Sequence, residues 1–381
     1  MGKRRGILLL SQLFPPTKGG TPTWFSQVYS RLGGKEVHVL TDEVAGAEVF
    51  DQQQNNTVYR LPAVRYSWLR PESLLIYLLF ALKGLVVIWR NPIAVVHAGR
   101  VLPEGLAGLV IARLTGKRLI IYAHGEEITT WRQRVKHWVM TKTYRLADKV
   151  IVNSSFTQNE LMKLGVKASD IVHIEPGVNI DLFKPGLSSD YLRQRLNIPL
   201  DAKIILSVGR YTRRKGFDRL IESVRRLLDE GLETHYVCIG GGEDQHYLLQ
   251  LAQQQQVAER VHFLSDIETE ELPYWYNLCD VFAMPNREID GDTEGFGIVF
   301  LEAAACGKPV VAGQAGGTEN AVVHRKNGIQ VDGDSLDDIS AALSEILLDQ
   351  SQAKAMGDYG CQWVDQCHSW DRVVRQTKTL V

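Results

Sequence analysis

Two carboxylates, two cations, a histidine and several glycines stand at spacings that could do chemistry together. Glu294 and Glu302 are separated by seven residues in EGFGIVFLEAAACGKPVV, residues 294–311. Gly295 and Gly297 permit a close backbone approach. Residues 298–306 are helix-compatible, and Gly307 with Pro309 ends the helix. The helix start then presents unpaired N–H groups and a partial positive charge to the loop, an arrangement suited to phosphate. A carboxylate accepts paired hydrogen bonds from vicinal hydroxyls. Glu294 and Glu302 each therefore fit a ribose diol or a pyranose edge, with Phe296, Gly297 and Ile298 between them. Phosphate flanked by two diol acceptors describes a nucleotide sugar.

Other candidates follow strand-like runs. In GRYTRRKG, after Gly209, Arg210 and Lys215 are spaced to grip one diphosphate from two directions, Arg bidentately and Lys as a point charge. Arg213 and Arg214 read as exposed. Gly240 opens GGGED, where a nucleotide passes closely and the base lies between that turn and residues 264–266. Gly19 and Gly20 mark a helix entrance after the first strand. His124, in AHGEE, sits where a strand ends, with a structural hydrogen bond or a substrate contact as its two readings. Glu126 and Glu127 read as first-turn helix charges. Asp290 and Asp292 have the spacing of metal ligands but fall in a glycine-containing loop, beside cations that already neutralise phosphate. No metal is expected there, and no cofactor beyond the nucleotide sugar as co-substrate.

The Glu294–Glu302 run resembles the E-x7-E signature of retaining glycosyltransferases of the family 4 type. Among these the chain is most similar to bacterial phosphatidylinositol-mannoside mannosyltransferases. The resemblance covers nearly the whole chain, including FPP-x-x-GG at residues 14–20. It implies an α/β, GT-B fold: two Rossmann-like βαβ domains with parallel sheets facing across a deep interdomain cleft. Residues 1–183 would bind the acceptor, completed by a C-terminal helix at about 363–381, and residues 184–362 the donor. By the same resemblance the Gly19–Gly20 loop closes over the donor diphosphate, His124 touches the transferred sugar, and Arg210 with Lys215 holds the diphosphate. The implied reaction moves a hexose, mannose favoured, from GDP-mannose with retention of configuration. The acceptor would be a glycolipid, polyprenyl-linked sugar or oligosaccharide of cell-envelope biosynthesis. By the same resemblance the donor phosphate oxygen would take the acceptor's proton; the chain offers no strong candidate for a protein nucleophile. A UDP-sugar-dependent transferase with a soluble acceptor stays open. A UDP-sugar 2-epimerase shares the architecture, but the Glu294–Glu302 element and the Arg210/Lys215 pair count against it.

These residues need a scaffold, and the apolar pattern supplies one. Strand-like runs at 6–10, 36–41, 94–98, 118–122 and 149–153 alternate with helix-length segments. A second series follows at 203–208, 234–239, 260–264, 280–284 and 309–312. Alternation of this kind builds parallel sheets covered on both faces, and ligands bind outside the carboxyl ends of their strands. The segment 176–186, PGVNIDLFKPG, reads as the interdomain crossing. A dinucleotide-binding G-x-G-x-x-G is absent from the first βα unit, which argues against a dehydrogenase.

At 381 residues, 45% hydrophobic and 23% charged, the chain fits two soluble domains. The net charge of −1 conceals a division. Residues 1–185 hold 24 Lys and Arg against 14 Asp and Glu, the remainder 19 against 30. A basic first half suits an anionic surface. Trp68, Trp89, Trp131 and Trp138 fall among its cations, as at a membrane interface. Peripheral contact with an anionic membrane, at the cytoplasmic face, is expected. The acidic second half and the lack of RNA-binding motifs argue against nucleic acid. Five cysteines without a paired framework read as reduced thiols of a cytosolic protein. Lys3, Arg4 and Arg5 lead into a strand-length run, unlike a signal peptide.

Overall fold

The computed structural model describes residues 6–62 and 74–381. Trp68, expected at the membrane interface, lies outside them. The chain divides into two compact units, Met1–Pro176 with Trp370–Val381, and Gly177–Ser369.

The first unit is built on seven strands: β1 Gly6–Leu10, β2 Val37–Asp42, β3 Thr57–Leu61, β4 Ile93–Ala98, β5 Arg118–Ala123, β6 Lys149–Val152 and β7 Ile171–His173. They form one parallel sheet in the order β3-β2-β1-β4-β5-β6-β7. The central strand, GILLL, is buried throughout, and its side chains alternate between two cores as the strand period requires. Leu8 and Leu10 join Phe80, Ile111 and Met140 on one face. Ile7 and Leu9 join Trp24, Phe25 and Trp370 on the other. Each fully buried side chain of this kind contributes about 1.5–3 kcal/mol.

The second unit repeats the plan with β8 Lys203–Val208, β9 Thr234–Ile239, β10 Val261–Leu264, β11 Val281–Met284, β12 Val310–Gly313 and β13 Gly328–Val331. These are parallel in the order β10-β9-β8-β11-β12-β13. Ile204 and Leu206 of β8 face one core and Ile205 the other. Both units are thus Rossmann-like α/β layers.

The division falls earlier than position 183, because Gly177 already belongs to the second unit. The C-terminal helix is interrupted as well. Gln350–Cys367 stays with the second unit, where Trp363 lies against His368 with ring centroids 4.3 Å apart. Only the helix Trp370–Lys378 crosses to the first unit, where Trp370 and Val373 are buried.

Each candidate residue follows a strand. The Gly19–Gly20 turn comes after β1, His124 after β5, Gly209 through Lys215 after β8, Gly240 after β9, and Glu294 after β11.

Candidate functional site

In the second unit the site is assembled by the loop after β11 and the helix Ile298–Ala305. Gly297 caps that helix at φ 91°, and a β-carbon there would meet the Phe300 ring at 2.6 Å. Glycine is therefore required by the backbone itself. Phe296 is buried against the core, with its ring 6.2 Å from His368, so its contribution to the loop is packing. Ile298 is partly buried on the same core.

Glu294 is the centre of a cation cluster. Its Oε2 accepts hydrogen bonds from Lys215 Nζ, from an Arg214 terminal nitrogen at 3.0 Å and from Asn286 Nδ2 at 3.0 Å. Its side chain is 12% exposed. Burial raises the carboxyl pKa, but Lys215 and then Arg214 outweigh burial and hold it at about 2. Arg214 also pairs with Asp292 at 3.0 Å. Arg214 is thus not the exposed residue its sequence position suggested: its side chain is 16% exposed, against 46% for Arg213. The carboxylate of Asp292 is engaged by this guanidinium. The backbone fixes Glu294 too, since its carbonyl accepts the Gly317 N–H at 2.7 Å. Gly316, at φ 60°, passes so close that a β-carbon would overlap the Glu294 carbonyl oxygen.

Glu302 lies one turn into the helix, and its Oε2 accepts the Tyr276 hydroxyl at 2.7 Å. Burial lifts its carboxyl to about 7, the Tyr276 bond opposing the rise. The two acids of the E-x7-E run therefore differ sharply in charge state. Glu294 is fixed as an anion, whereas Glu302 titrates near neutrality.

Arg210 is exposed at the end of β8, and Lys215 ends a short 3-10 turn over Arg213–Lys215. They do not share a partner. Lys215 is held by Glu294, while Arg210 projects to solvent. Gly209 and Gly240 face one another: a β-carbon on Gly240 would overlap the Gly209 carbonyl oxygen. Their glycines join two strand ends closely.

In the first unit His124 is 8% exposed. Its Nε2 is 2.8 Å from the Gly99 carbonyl oxygen. A carbonyl only accepts, so Nε2 carries the proton and, in the neutral ring, Nδ1 remains an acceptor. Burial lowers the pKa of the ring, with Glu127 opposing, so the neutral form dominates. Glu127 is not a solvated first-turn charge. It is 1% exposed, and its Oε1 accepts the backbone N–H of His124 at 3.0 Å and the Tyr144 hydroxyl at 2.6 Å. Glu126 does remain at the surface, paired with Arg100 at 2.9 Å. Gly19 caps the helix Gly20–Leu32 at φ 143°, and both glycines are exposed.

Asn286, Arg214, Tyr276 and Glu127 were missed in the sequence. Asn286 follows β11 almost directly, and the strand-end rule that found Arg210 could have found it. Tyr276, inside the apolar helix Leu272–Leu278, carries no such signal.

Residues 19–182 match the family described as Glycosyltransferase Family 4, and residues 188–363 that described as Glycosyl transferases group 1. A GDP-mannose-dependent alpha-(1-6)-phosphatidylinositol monomannoside mannosyltransferase of Mycobacterium tuberculosis is 34% identical, over 96% of this chain and 95% of that protein. The protein of that description from Mycolicibacterium smegmatis is 31% identical over the same shares. Sucrose-phosphate synthase from Thermosynechococcus elongatus has the same fold, with a TM-score of 0.84, 23% identity and coverage of 99% and 98% of the two chains.

Proposed function

We propose, from the premise that the chain belongs to the family 4 and group 1 glycosyltransferases of GT-B fold, that it moves mannose from GDP-mannose to a phosphatidylinositol-mannoside-like glycolipid. The observation that carries this reading is the 34% identity to a mannosyltransferase so described, spanning 96% of the chain. The geometry of the Glu294 cluster supplies the chemistry. Transfer passes through a state with oxocarbenium character, in which the departing diphosphate gathers negative charge. Arg210, Lys215 and the N-terminus of the helix at Ile298 are the groups that take up this charge. Glu294, anionic and held by three donors, suits accepting hydrogen bonds from the sugar hydroxyls. Glu302 takes the ribose diol.

Retention of anomeric configuration belongs to this proposal. A carboxylate held near pKa 2 by cations is a weak nucleophile, so the donor phosphate oxygen takes the acceptor's proton on the face where the bond breaks. No metal is assigned a part, because guanidinium and ammonium groups already oppose the diphosphate. The acceptor is lipid-borne, and no helix among the described residues is long and apolar enough to cross a membrane. In this reading the enzyme meets its acceptor by surface association at the cytoplasmic face.

Thermal-shift measurement with GDP, UDP, ADP and their mannose or glucose conjugates tests the donor. A ligand at a hundred times its Kd stabilises by about 2.7 kcal/mol, so the correct base stands out. GDP and GDP-mannose are expected to raise Tm. A response to UDP or ADP with none to GDP overturns the donor assignment. Mannose transfer to phosphatidylinositol mannosides, followed by the anomeric configuration of the product, tests acceptor and stereochemistry.

A further inference from the structure

We propose that Arg287 is a positioning residue: paired with Asp218, it fixes the two loops that supply the donors around Glu294, and so aims Lys215 at a diphosphate. This role rests on the nucleoside-diphosphate reading above and adds to it a residue that acts through others.

The three donors to Glu294 come from two separate loops. Lys215 and Arg214 belong to the 3-10 turn that follows β8, and Asn286 to the segment that follows β11. Arg287 ties one to the other. Its backbone N–H donates to the Arg214 carbonyl at 2.9 Å, and its Nη2 donates to Asp218 Oδ2 at 2.6 Å. Asp218 stands in the first turn of the helix Phe217–Asp229, directly beyond the 3-10 turn, where the helix dipole favours a carboxylate. Arg213 Nη1 lies 3.8 Å from the same oxygen. One residue thus holds the loop after β8 on both sides of Lys215, while its chain neighbour Asn286 bonds Glu294. The two loops also meet backbone to backbone. At Gly216, φ 77°, a β-carbon would come within 2.4 Å of the Pro285 carbonyl oxygen.

Stability does not account for the ion pair. Its side chains are 7% and 8% exposed. Ions taken out of water lose hydration that their attraction only partly returns, and apolar side chains of similar volume often serve stability as well. The pair is also incompletely satisfied, since Asp218 Oδ1 and Arg287 Nη1 are buried without a protein hydrogen-bond partner among the described residues. Asp334, 3.7 Å from Arg287 Nε, is exposed and adds little. What a charge-assisted bond does supply is direction. Direction is needed here, because Arg213, Arg214 and Lys215 are consecutive cations that repel one another. Asp218 opposes the Arg213 end of the turn and Glu294 the Lys215 end. When a diphosphate draws Lys215 from Glu294, the pair of Arg287 with Asp218 keeps the turn in place.

The test is calorimetric binding of GDP and GMP, with transfer measured alongside. Arg287→Met alone strands a buried carboxylate and threatens the fold, so it is also made together with Asp218→Leu, which removes both charges. The double variant is expected to keep a Tm close to that of the unaltered chain. It is expected to bind GDP roughly ten-fold more weakly, the scale of one lost hydrogen bond to a charged group. GMP has no β-phosphate and is expected to bind almost as before. Transfer is expected to fall by roughly 10²-fold, as for a group misplaced by about 1 Å. Arg287→Lys keeps a cation beside Asp218, where a single nitrogen makes the bond, and is expected to recover most of the GDP affinity. Equal loss of GDP and GMP, or unchanged GDP affinity in a folded double variant, overturns the proposal. So does a double variant that fails to fold, since the pair would then serve stability. A chain that binds UDP and not GDP overturns the donor reading alone, and UDP with UMP then replaces GDP with GMP in the same comparison. Binding of no nucleoside diphosphate by the unaltered chain overturns both.

Discussion

Glu294 is ionised at every working pH, and that restricts what it can do. An acid held at about 2 has no proton to give and little basicity to attack with, so it serves as an acceptor for hydroxyls. It also competes with the donor, because Lys215 and Arg214 neutralise it in the structure. Replacing Glu294→Gln removes that competing anion but also the charged acceptor. Transfer is expected to fall by roughly 10²–10³, the scale of losing one charge-stabilising contact, while nucleoside diphosphate binds as well or better. A calorimetric Kd weakened together with turnover would contradict this assignment. The same cluster predicts acid lability. The pKa is depressed from 4.5 to about 2, so its stabilisation is present above pH 4.5 and is lost as pH falls toward 2. Glu302 behaves oppositely. Burial raises it from 4.5 to about 7, so its contribution to stability is full below pH 4.5 and is lost as pH rises through 7. A ribose diol needs the carboxylate form, and hence nucleotide affinity is expected to rise about ten-fold between pH 6 and 8. A 2′,3′-dideoxy nucleotide lacks the diol and is expected to show no such rise; identical pH profiles for the two would remove Glu302 from the ribose.

At the level of elements, glycine-governed turns join the acids to their strands. Gly316 closes over the Glu294 carbonyl from φ 60°, so Gly316→Ala meets both a left-handed backbone and an overlap that no side chain can relieve. A loss of about 2–4 kcal/mol is expected from strain and displaced packing, measured by urea unfolding. A change below about 0.5 kcal/mol would mean that the turn can open freely. What could be read in the sequence follows from the same physics. The ten strands set out from apolar runs are all present, because strands buried on both faces carry uninterrupted apolar side chains. The three strands not foreseen, β3, β7 and β13, are all at sheet edges. There TVYRL is mostly half-buried and IVH entirely so, leaving no continuous apolar signal. The helix from Ile298 and its stop at Gly307 were legible because each end has a backbone reason. The partners of the acids were not. Arg214 and Tyr276 reach Glu294 and Glu302 across 80 and 26 residues of chain, and local pattern carries no information at such separations.

For the molecule as a whole, the path of the chain makes the first unit depend on the far terminus. The chain leaves the first unit at Pro176, builds all of the second, and returns only from Trp370. The returning helix places Trp370 and Val373, at 4% and 2% exposure, in the core with Trp24 and Phe25. Leu380 adds a third buried side chain at 8%. Removing residues 370–381 therefore strips three large apolar groups from the first unit, about 4.5–9 kcal/mol at 1.5–3 kcal/mol apiece, which is comparable to the whole stability of an ordinary domain. The second unit keeps all of its own residues, since Ser369 is its last and the helix Gln350–Cys367 remains. Calorimetry of the chain ending at Ser369 is expected to show the transition of the first unit strongly lowered or absent. The transition of the second unit is expected to stay in place and still to rise with GDP, because Arg210, Lys215, Glu294 and Glu302 all lie between residues 177 and 369. If truncation abolished both transitions together, the two units would unfold as one body, and the nucleotide site could not be assigned to the second unit alone.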